Sequence, residues 1–349
     1  MKVDTILDNR LNGKKLTRAE VIHLLSQKMP ETQAAIYSAA RVMRERYFGK
    51  NIFAYGFVYF STYCRNDCTF CFYRKSNTEP PRYRKTLEEI TALAKDLSDS
   101  GVHMIDLTMG EDTAFLKDNG DLLEVVQNVK KTTGLPVMVS PGVVSQNMID
   151  AFQKAGVAWY ALYQETYNRE LYKKLRLCQD YDERMRIKHY ARSRGLLIEE
   201  GLLTGVGDTL EDRADAMLAM GTLGVSQVRT MTFVPQKGTP LENTQPNSNV
   251  NELLNIAVMR LLYPDKLIPA SLDVEGVIGL QERLMAGANV ITSLIPPRMG
   301  LAGVSQSELD INDGSRTIAG VMPVLEACNL ELGTQEAYHA YIARERKQL

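Results

Sequence analysis

From Phe53 onward, short apolar runs alternate with segments whose apolar residues recur every three or four positions. The runs have the look of parallel-sheet strands buried on both faces, and the spaced segments that of helices packed on one side. Strands are expected at Phe53–Phe60, Val102–Met109, Pro136–Ser140, Val157–Leu162, Leu196–Leu203, Val225–Val234, Leu267–Asp273 and Asn289–Ile295. Helices are expected from Thr86 to Gly101, then at Asp121–Thr133, Ser145–Ala155 and in a region ending at Arg194. Further helices follow at Thr209–Leu223, Asn249–Tyr263, Glu275–Ala286, Ser315–Cys328 and Thr334–Arg346. Thr86 with Glu89, like Thr17 with Glu20, has the spacing of a capping box, which starts a helix. Eight such units over roughly 280 residues match the usual size of a (β/α)8 TIM barrel. A doubly wound open sheet is the alternative for the same alternation. The first strand lacks a GxGxxG turn, so a dinucleotide fold has no support. Residues 14–48 read as helix broken at Pro30. The expected fold class is α/β: an N-terminal helical extension over 1–50, then a barrel with C-terminal helices over 51–349, together one globular unit.

Composition narrows the class. The 349 residues are 44% hydrophobic with formal net charge −1, which gives no reason to expect nucleic acid or an anionic membrane as partner. Met1 to Arg10 has no continuous apolar stretch and does not read as a signal peptide. No apolar run approaches the length of about twenty residues that a membrane span needs. Five cysteines, three of them in one loop, are no disulfide framework, and a reducing cytoplasm is the expected compartment. Cys178 and Cys328 read as inert small hydrophobes. The four histidines do not cluster with the cysteine loop in sequence, so none is expected as a ligand.

That loop is Tyr63-Cys64-Arg65-Asn66-Asp67-Cys68-Thr69-Phe70-Cys71, placed just after the first strand. Thiolates are the ligands that soft metals and iron–sulfur clusters select. A structural zinc site and an electron-transfer [4Fe–4S] cluster each want four closed ligands, whereas three leave a coordination position open for chemistry.

In a barrel the active site lies at the C-terminal rim of the strands, so the strand ends carry the next information. The second strand contains Asp106 and runs into Gly110-Glu111, and the third ends at Ser140. The fourth ends in Tyr163-Gln164-Glu165-Thr166, and the fifth in a turn holding Gly205 and Gly207. The sixth contains Arg229, and the seventh Ser271 and Asp273. Charges on otherwise apolar strands need partners. Asp106, Arg229 and Asp273 either form interior ion pairs that fix the barrel or face a ligand. Two anions, one guanidinium and a hydroxyl would suit a small diamino acid, its carboxylate gripped by the arginine and its ammonium groups by the carboxylates.

Cys64-x3-Cys68-x2-Cys71, with aromatic Phe70 before the last cysteine and a barrel strand before the loop, resembles the radical S-adenosylmethionine (SAM) superfamily. Within it the chain is similar to the biotin synthase branch. It is most similar to the methylornithine synthases, the lysine mutases of pyrrolysine biosynthesis, on residues 59–64, 103–112, 161–167 and 268–273. The resemblance implies that Cys64, Cys68 and Cys71 hold three irons of a [4Fe–4S] cluster whose fourth iron chelates SAM. It implies that Gly110 and Glu111 meet the SAM amino group, and that Ser140, Glu165 and Arg184 hold its ribose and carboxylate. Phe70, Phe72 and the Gly205–Gly207 turn would line the adenine. Asp106, Arg229, Ser271 and Asp273 would hold the amino acid. The implied reaction takes a hydrogen from L-lysine, fragments the radical to a glycyl radical and an aminobutene, and recombines them as 3-methylornithine. Its electrons would come from a donor such as flavodoxin or ferredoxin. Rival readings are another radical SAM reaction, such as sulfur insertion or iron-hydrogenase maturation, and a non-catalytic iron–sulfur or zinc protein. Sulfur insertion is disfavoured, because the two remaining cysteines fall off the expected strands.

Overall fold

The computed structural model describes residues 2–117, 121–245, 248–305 and 308–349. Helices α1 (Val3–Leu11), α2 (Arg18–Leu25) and α3 (Pro30–Phe48) lead into β1 (Asn51–Ser61). After the cysteine loop come α4 (Leu87–Asp99), β2 (Met104–Met109), the one-turn α5 (Thr113–Leu116), α6 (Asp121–Thr133) and β3 (Val137–Ser140). Next are α7 (Gln146–Lys154), β4 (Trp159–Ala161), α8 (Arg169–Leu175), α9 (Tyr181–Ser193), β5 (Leu197–Thr204) and α10 (Leu210–Leu223). The chain ends with β6 (Gln227–Thr232), α11 (Asn249–Leu262), β7 (Pro269–Ser271), α12 (Leu280–Met285), β8 (Val290–Leu294), α13 (Ile318–Ala327), β9 (Glu331–Leu332) and α14 (Gln335–Arg346).

The strands are parallel in the order β6-β5-β4-β3-β2-β1-β8-β7. β6 and β7 meet only near their starts, where the Val228 N–H donates to the Leu267 carbonyl at 3.0 Å and the Leu267 N–H to that of Ser226 at 3.2 Å. Pro269, which opens β7, has no N–H to extend that ladder. The result is a barrel that is nearly closed, with its eight strands where the alternation of the sequence put them.

Successive strand residues point to opposite faces, and two separate cores follow from that period. Ala54, Val58, Phe60, Ile105, Leu107, Val139, Ile198 and Val228 face outward into the core shared with the helices. Phe53, Tyr55, Met104, Met138, Trp159, Leu197, Leu267 and Val290 face inward and fill the lower barrel. α14 closes that lower end. Its Tyr338 hydroxyl donates to that of Tyr55 at 3.1 Å, and its Tyr341 hydroxyl to the Ser226 carbonyl at 2.5 Å. His103 sits beside this plug, accepting from the Ala54 N–H at 3.0 Å, far in role from any ligand set. A barrel stoppered by buried aromatics below leaves its upper rim for function.

The N-terminal helices pack on α10, α11 and α12. Arg10 donates to the Leu261 carbonyl and Arg44 to that of Leu284, each at 2.5 Å. Both carbonyls lie in a last helical turn, where backbone acceptors lack partners and a cation is favoured. The Thr17–Glu20 and Thr86–Glu89 capping boxes are both formed.

Four local expectations change. The helical region ending at Arg194 is two helices, α8 and α9, parted by a loop in which Cys178 takes φ +58°. Cys178 is exposed there, not a buried hydrophobe. α12 begins at Leu280, because residues 275–279 turn about Gly276 at φ +59°, where a Cβ would meet the Asp310 carboxylate at 1.8 Å. The two-residue β9, paired with the start of β1, is too short to announce itself in sequence.

Candidate active site

The cysteine loop is tied to the barrel at several points. The Arg65 N–H donates to the Glu111 carbonyl at 3.1 Å, and that of Thr69 to the Leu175 carbonyl at 2.9 Å. Gly110 is required where the loop crosses β2, since a Cβ there would stand 2.2 Å from the Tyr63 carbonyl oxygen. Cys68 is buried, while Cys64 and Cys71 are half-buried. The Cys68 sulfur accepts from the Gln179 amide at 3.0 Å and lies 3.7 Å from the Arg176 guanidinium. The Asn66 N–H points at Cys64 at 3.4 Å. Burial pushes the Cys64 and Cys71 thiols up, so a bound metal is what would hold them as thiolates.

A cavity of about 160 Å³ opens at the C-terminal rim directly beside this loop. Of the expected site residues, Phe70, Cys71, Phe72, Ser140, Glu165, Asp106, Arg229, Ser271 and Asp273 all line it. Glu111 instead lines a second cleft, with Arg65, Asn66 and Gln179. Its carboxylate is held by Arg65 at 3.0 Å, by the Val143 N–H at 3.2 Å and by Arg184 at 3.8 Å. Arg184 stands behind both, donating through Nε to the Tyr163 carbonyl at 2.8 Å. Gly205 and Gly207, at φ +88° and +98°, make a turn closed by Asp208, which accepts from the Gly205 N–H at 2.7 Å. Neither glycine lines the cavity; the turn seats Val206 in one apolar cluster with Phe70.

The rim charges are more paired than the sequence suggests. Arg229 donates through Nε to Glu199 of β5 at 2.6 Å. Asp273 accepts from Arg316 at 3.3 Å and from the N–H groups of Val304 and Ser305 at 2.9 and 2.5 Å. Glu165 sits at φ +68°, in the left-handed region that side chains avoid, and accepts from Arg176 at 2.6 Å. Among the described residues Asp106 has only the Thr108 hydroxyl, at 2.9 Å, as a hydrogen-bond donor. Burial first, then the Glu199 charge, pushes Asp106 up to about 7 against the opposing pull of Arg229. Thr292, also on the cavity, has a buried hydroxyl without a partner among the described residues.

Glu199, Arg176 and Arg316 were not among the expected site residues. Two adjacent glutamates inside the apolar run Leu196–Leu203 were the available signal for Glu199, because one of them must face into the barrel. The arginines lie in loops, and nothing local marks them.

The residues present fit an iron–sulfur cluster with SAM. The loop offers three thiols, with N–H donors aimed at the Cys68 and Cys64 sulfurs, as anionic clusters favour. Among the described residues no three His, Cys, Asp or Glu side chains converge on a single ion position. A cubane does not ask for that, since each thiolate takes a different iron. No helix among the described residues is long and apolar enough to cross a membrane.

Comparisons with known proteins agree with this geometry. A model described as the radical SAM superfamily, which uses a [4Fe–4S] cluster with SAM, matches residues 58–220. The 3-methylornithine synthase of Methanosarcina barkeri is 43% identical over 339 residues, 97% of each chain. A crystal structure of methylornithine synthase superposes with TM-score 0.92 at 43% identity, covering 96% of this chain and 99% of that one. The [FeFe] hydrogenase maturase subunit HydE of Thermotoga maritima is more distant, at 29% identity over 81% of each chain. With near-complete coverage at that identity, the cysteine loop and the rim cavity on one barrel, the chain belongs to the 3-methylornithine synthase family of the radical SAM superfamily.

Proposed function

We propose that this chain isomerises L-lysine to 3-methylornithine, a step of pyrrolysine biosynthesis, by hydrogen abstraction, fragmentation and recombination. One observation carries the reading beyond kinship: a small cavity adjoins Cys71 and carries one guanidinium, Arg229, and four carboxylates, of which Glu165 and Glu252 are taken at 2.6 Å by Arg176 and Arg283, leaving Asp106 and Asp273 to face a ligand with Arg229. That is the complement of a diamino acid.

When bound at Cys64, Cys68 and Cys71, the cluster and SAM supply an electron and a carbon-centred radical. Everything else falls to the chain. Glu111 and Gly110 receive the SAM amino group, and Ser140, Glu165 and Arg184 its ribose and carboxylate. Phe70 and Phe72 pack around its adenine, and the Gly205–Gly207 turn backs Phe70 through Val206. Arg229 grips the lysine carboxylate through its free Nη edge. Asp106 and Asp273 accept from the two ammonium groups, and Ser271 adds a hydroxyl. Each charge-assisted bond of this kind is worth about 1.5–3 kcal/mol, enough together to fix a flexible substrate. Recombination requires two fragments to remain in place, and anchors at both ends hold them at high effective concentration. Apolar walls from Phe57, Leu203 and Phe233 keep water from quenching a radical. A flavodoxin- or ferredoxin-type protein in the cytoplasm supplies the electrons.

The test is anaerobic reconstitution, followed by incubation with reductant, SAM and L-lysine and analysis by mass spectrometry after derivatisation. A lysine isomer co-eluting with 3-methylornithine is expected. Formation of 5′-deoxyadenosine without any lysine isomer would refute the substrate.

A further inference from the structure

Glu199 contacts neither the cavity nor the cysteine loop, and nothing above gives it a part in the reaction. It is fully buried on the inner face of β5, one layer beneath the cavity floor. Its Oε1 takes the Nε of Arg229 at 2.6 Å, and no Nη bond is formed by Arg229 within the protein among the described residues. Its Oε2 has no hydrogen bond within ordinary limits, although the Tyr163 hydroxyl faces the carboxylate. The Tyr163 ring lies 5.7 Å from the Arg229 guanidinium carbon and walls the other side.

We propose that Glu199 is a positioning and specificity residue for the amino-acid site. It anchors the Arg229 fork from below, so that the Nη edge is presented to a carboxylate, and it places a second anion beside Asp106. This deepens the lysine reading and rests on it. A guanidinium held at Nε by one partner has lost its freedom to swing, so its remaining edge is pre-organised before the substrate arrives. Asp106 on the cavity and Glu199 one layer behind it then set two carboxylates beside one guanidinium. The surplus anion demands that a carboxylate enter only together with an ammonium. Simple dicarboxylates and uncharged acids are thereby excluded.

The groups facing Asp106 from each packed element are few. They are Thr108 on β2, Tyr163 at the end of β4, Glu199 on β5, Arg229 on β6 and Tyr338 from α14 below. Of these Glu199 is the carboxylate whose charge opposes ionisation of Asp106. Removing that charge while keeping the shape therefore moves the pH at which Asp106 becomes an acceptor, an effect that packing alone does not produce.

The experiment compares wild type with Glu199→Gln, Glu199→Asp and Glu199→Ala as reconstituted enzyme with SAM. It measures kcat and KM for L-lysine across pH, with thermal melts to check folding. In Glu199→Gln the acidic limb of kcat/KM should move down by about one pH unit, and Glu199→Asp should return it toward wild type. Glu199→Ala should raise KM about tenfold or more, since Arg229 loses its anchor. A limb unmoved in folded Glu199→Gln, or one moved equally in Glu199→Asp, overturns the proposal; if Glu199→Ala fails to fold, the other two variants decide. Wild-type enzyme that makes no lysine isomer would instead refute the function, so the two failures are told apart.

Discussion

Asp106 gives the sharpest prediction, because its environment sets both a pH and a sign. Burial and the neighbouring Glu199 raise it from 3.8 to about 7, and Arg229 and Thr108 only partly oppose them. An ammonium is accepted by the carboxylate and not by the carboxyl, while a lysine ε-ammonium keeps its proton to about pH 10. The free enzyme is therefore about half competent near neutrality. Below pH 7, kcat/KM should fall roughly tenfold per pH unit. Once the ammonium is seated it favours the ionised form, so the limb in kcat should lie more acid than that in kcat/KM. Anaerobic initial rates between pH 5.5 and 8.5, at low and saturating lysine, measure both. Asp106→Asn keeps the shape, removes the limb and should lower kcat/KM by roughly 10- to 150-fold, from the loss of one charge-assisted bond. Stability follows the same group with a definite sign. The folded chain binds this proton more tightly than the unfolded chain, so the contribution is fully present below the unfolded value and is lost as pH rises through about 7. Between those limits it changes by at most about 1.4 kcal/mol per pH unit, and the slope should vanish in Asp106→Asn. A limb near pH 7 that survives in Asp106→Asn would refute this assignment.

Two further outcomes follow from packing. Gly110→Ala puts a methyl against the Tyr63 carbonyl carbon and oxygen, at 2.9 and 2.2 Å, and backbone has nowhere to retreat. The cysteine loop should shift, with reconstituted iron content and visible absorbance well below wild type; normal iron loading would show that the loop tolerates the shift. Lys188 and Glu200 form an ion pair in which neither side chain is exposed, and Gln164 and Tyr167 complete it. Lys188→Met strands Glu200 and should cost about 3–5 kcal/mol. That is a fall of roughly 4–7 °C in Tm, largely recovered in Lys188→Met with Glu200→Leu; a wild-type melt for the single variant would refute the argument.

The barrel was legible because its strands are buried on both faces and read as unbroken apolar runs. The capping boxes at Thr17 and Thr86 were equally plain, since their residues lie three apart. The pairing of the charges was not legible. Glu199 and Glu200 are neighbours in sequence, yet the strand period sends them to opposite faces. One goes inward to Arg229, thirty positions on, and the other outward to Lys188, twelve positions back. No local rule chooses between them, because each partner is brought by tertiary packing. The same holds for Arg316, which meets Asp273 from a loop beyond β8. The rim residues were found from strand ends, where chain order and barrel geometry coincide. Their counter-charges sit one layer behind, where they do not.

Those counter-charges separate two carboxylates that the sequence presents as equivalents. Asp273 already accepts from Arg316 and from the N–H groups of Val304 and Ser305, and both loop residues line the cavity. It therefore fastens the segment after β8 across the cavity mouth, and its charge is largely met before any ligand arrives. Among the described residues Asp106 has one hydroxyl donor and no cation bonded to it, while the guanidinium beside it is bonded at Nε to Glu199. An arriving ammonium therefore gains more from Asp106 than from Asp273. On the proposed reading, Asp273 in the turn after β7 serves enclosure and Asp106 of β2 serves charge recognition. A buried site gains from that division, since a single carboxylate serving both ends would have to release the loop in order to bind the substrate.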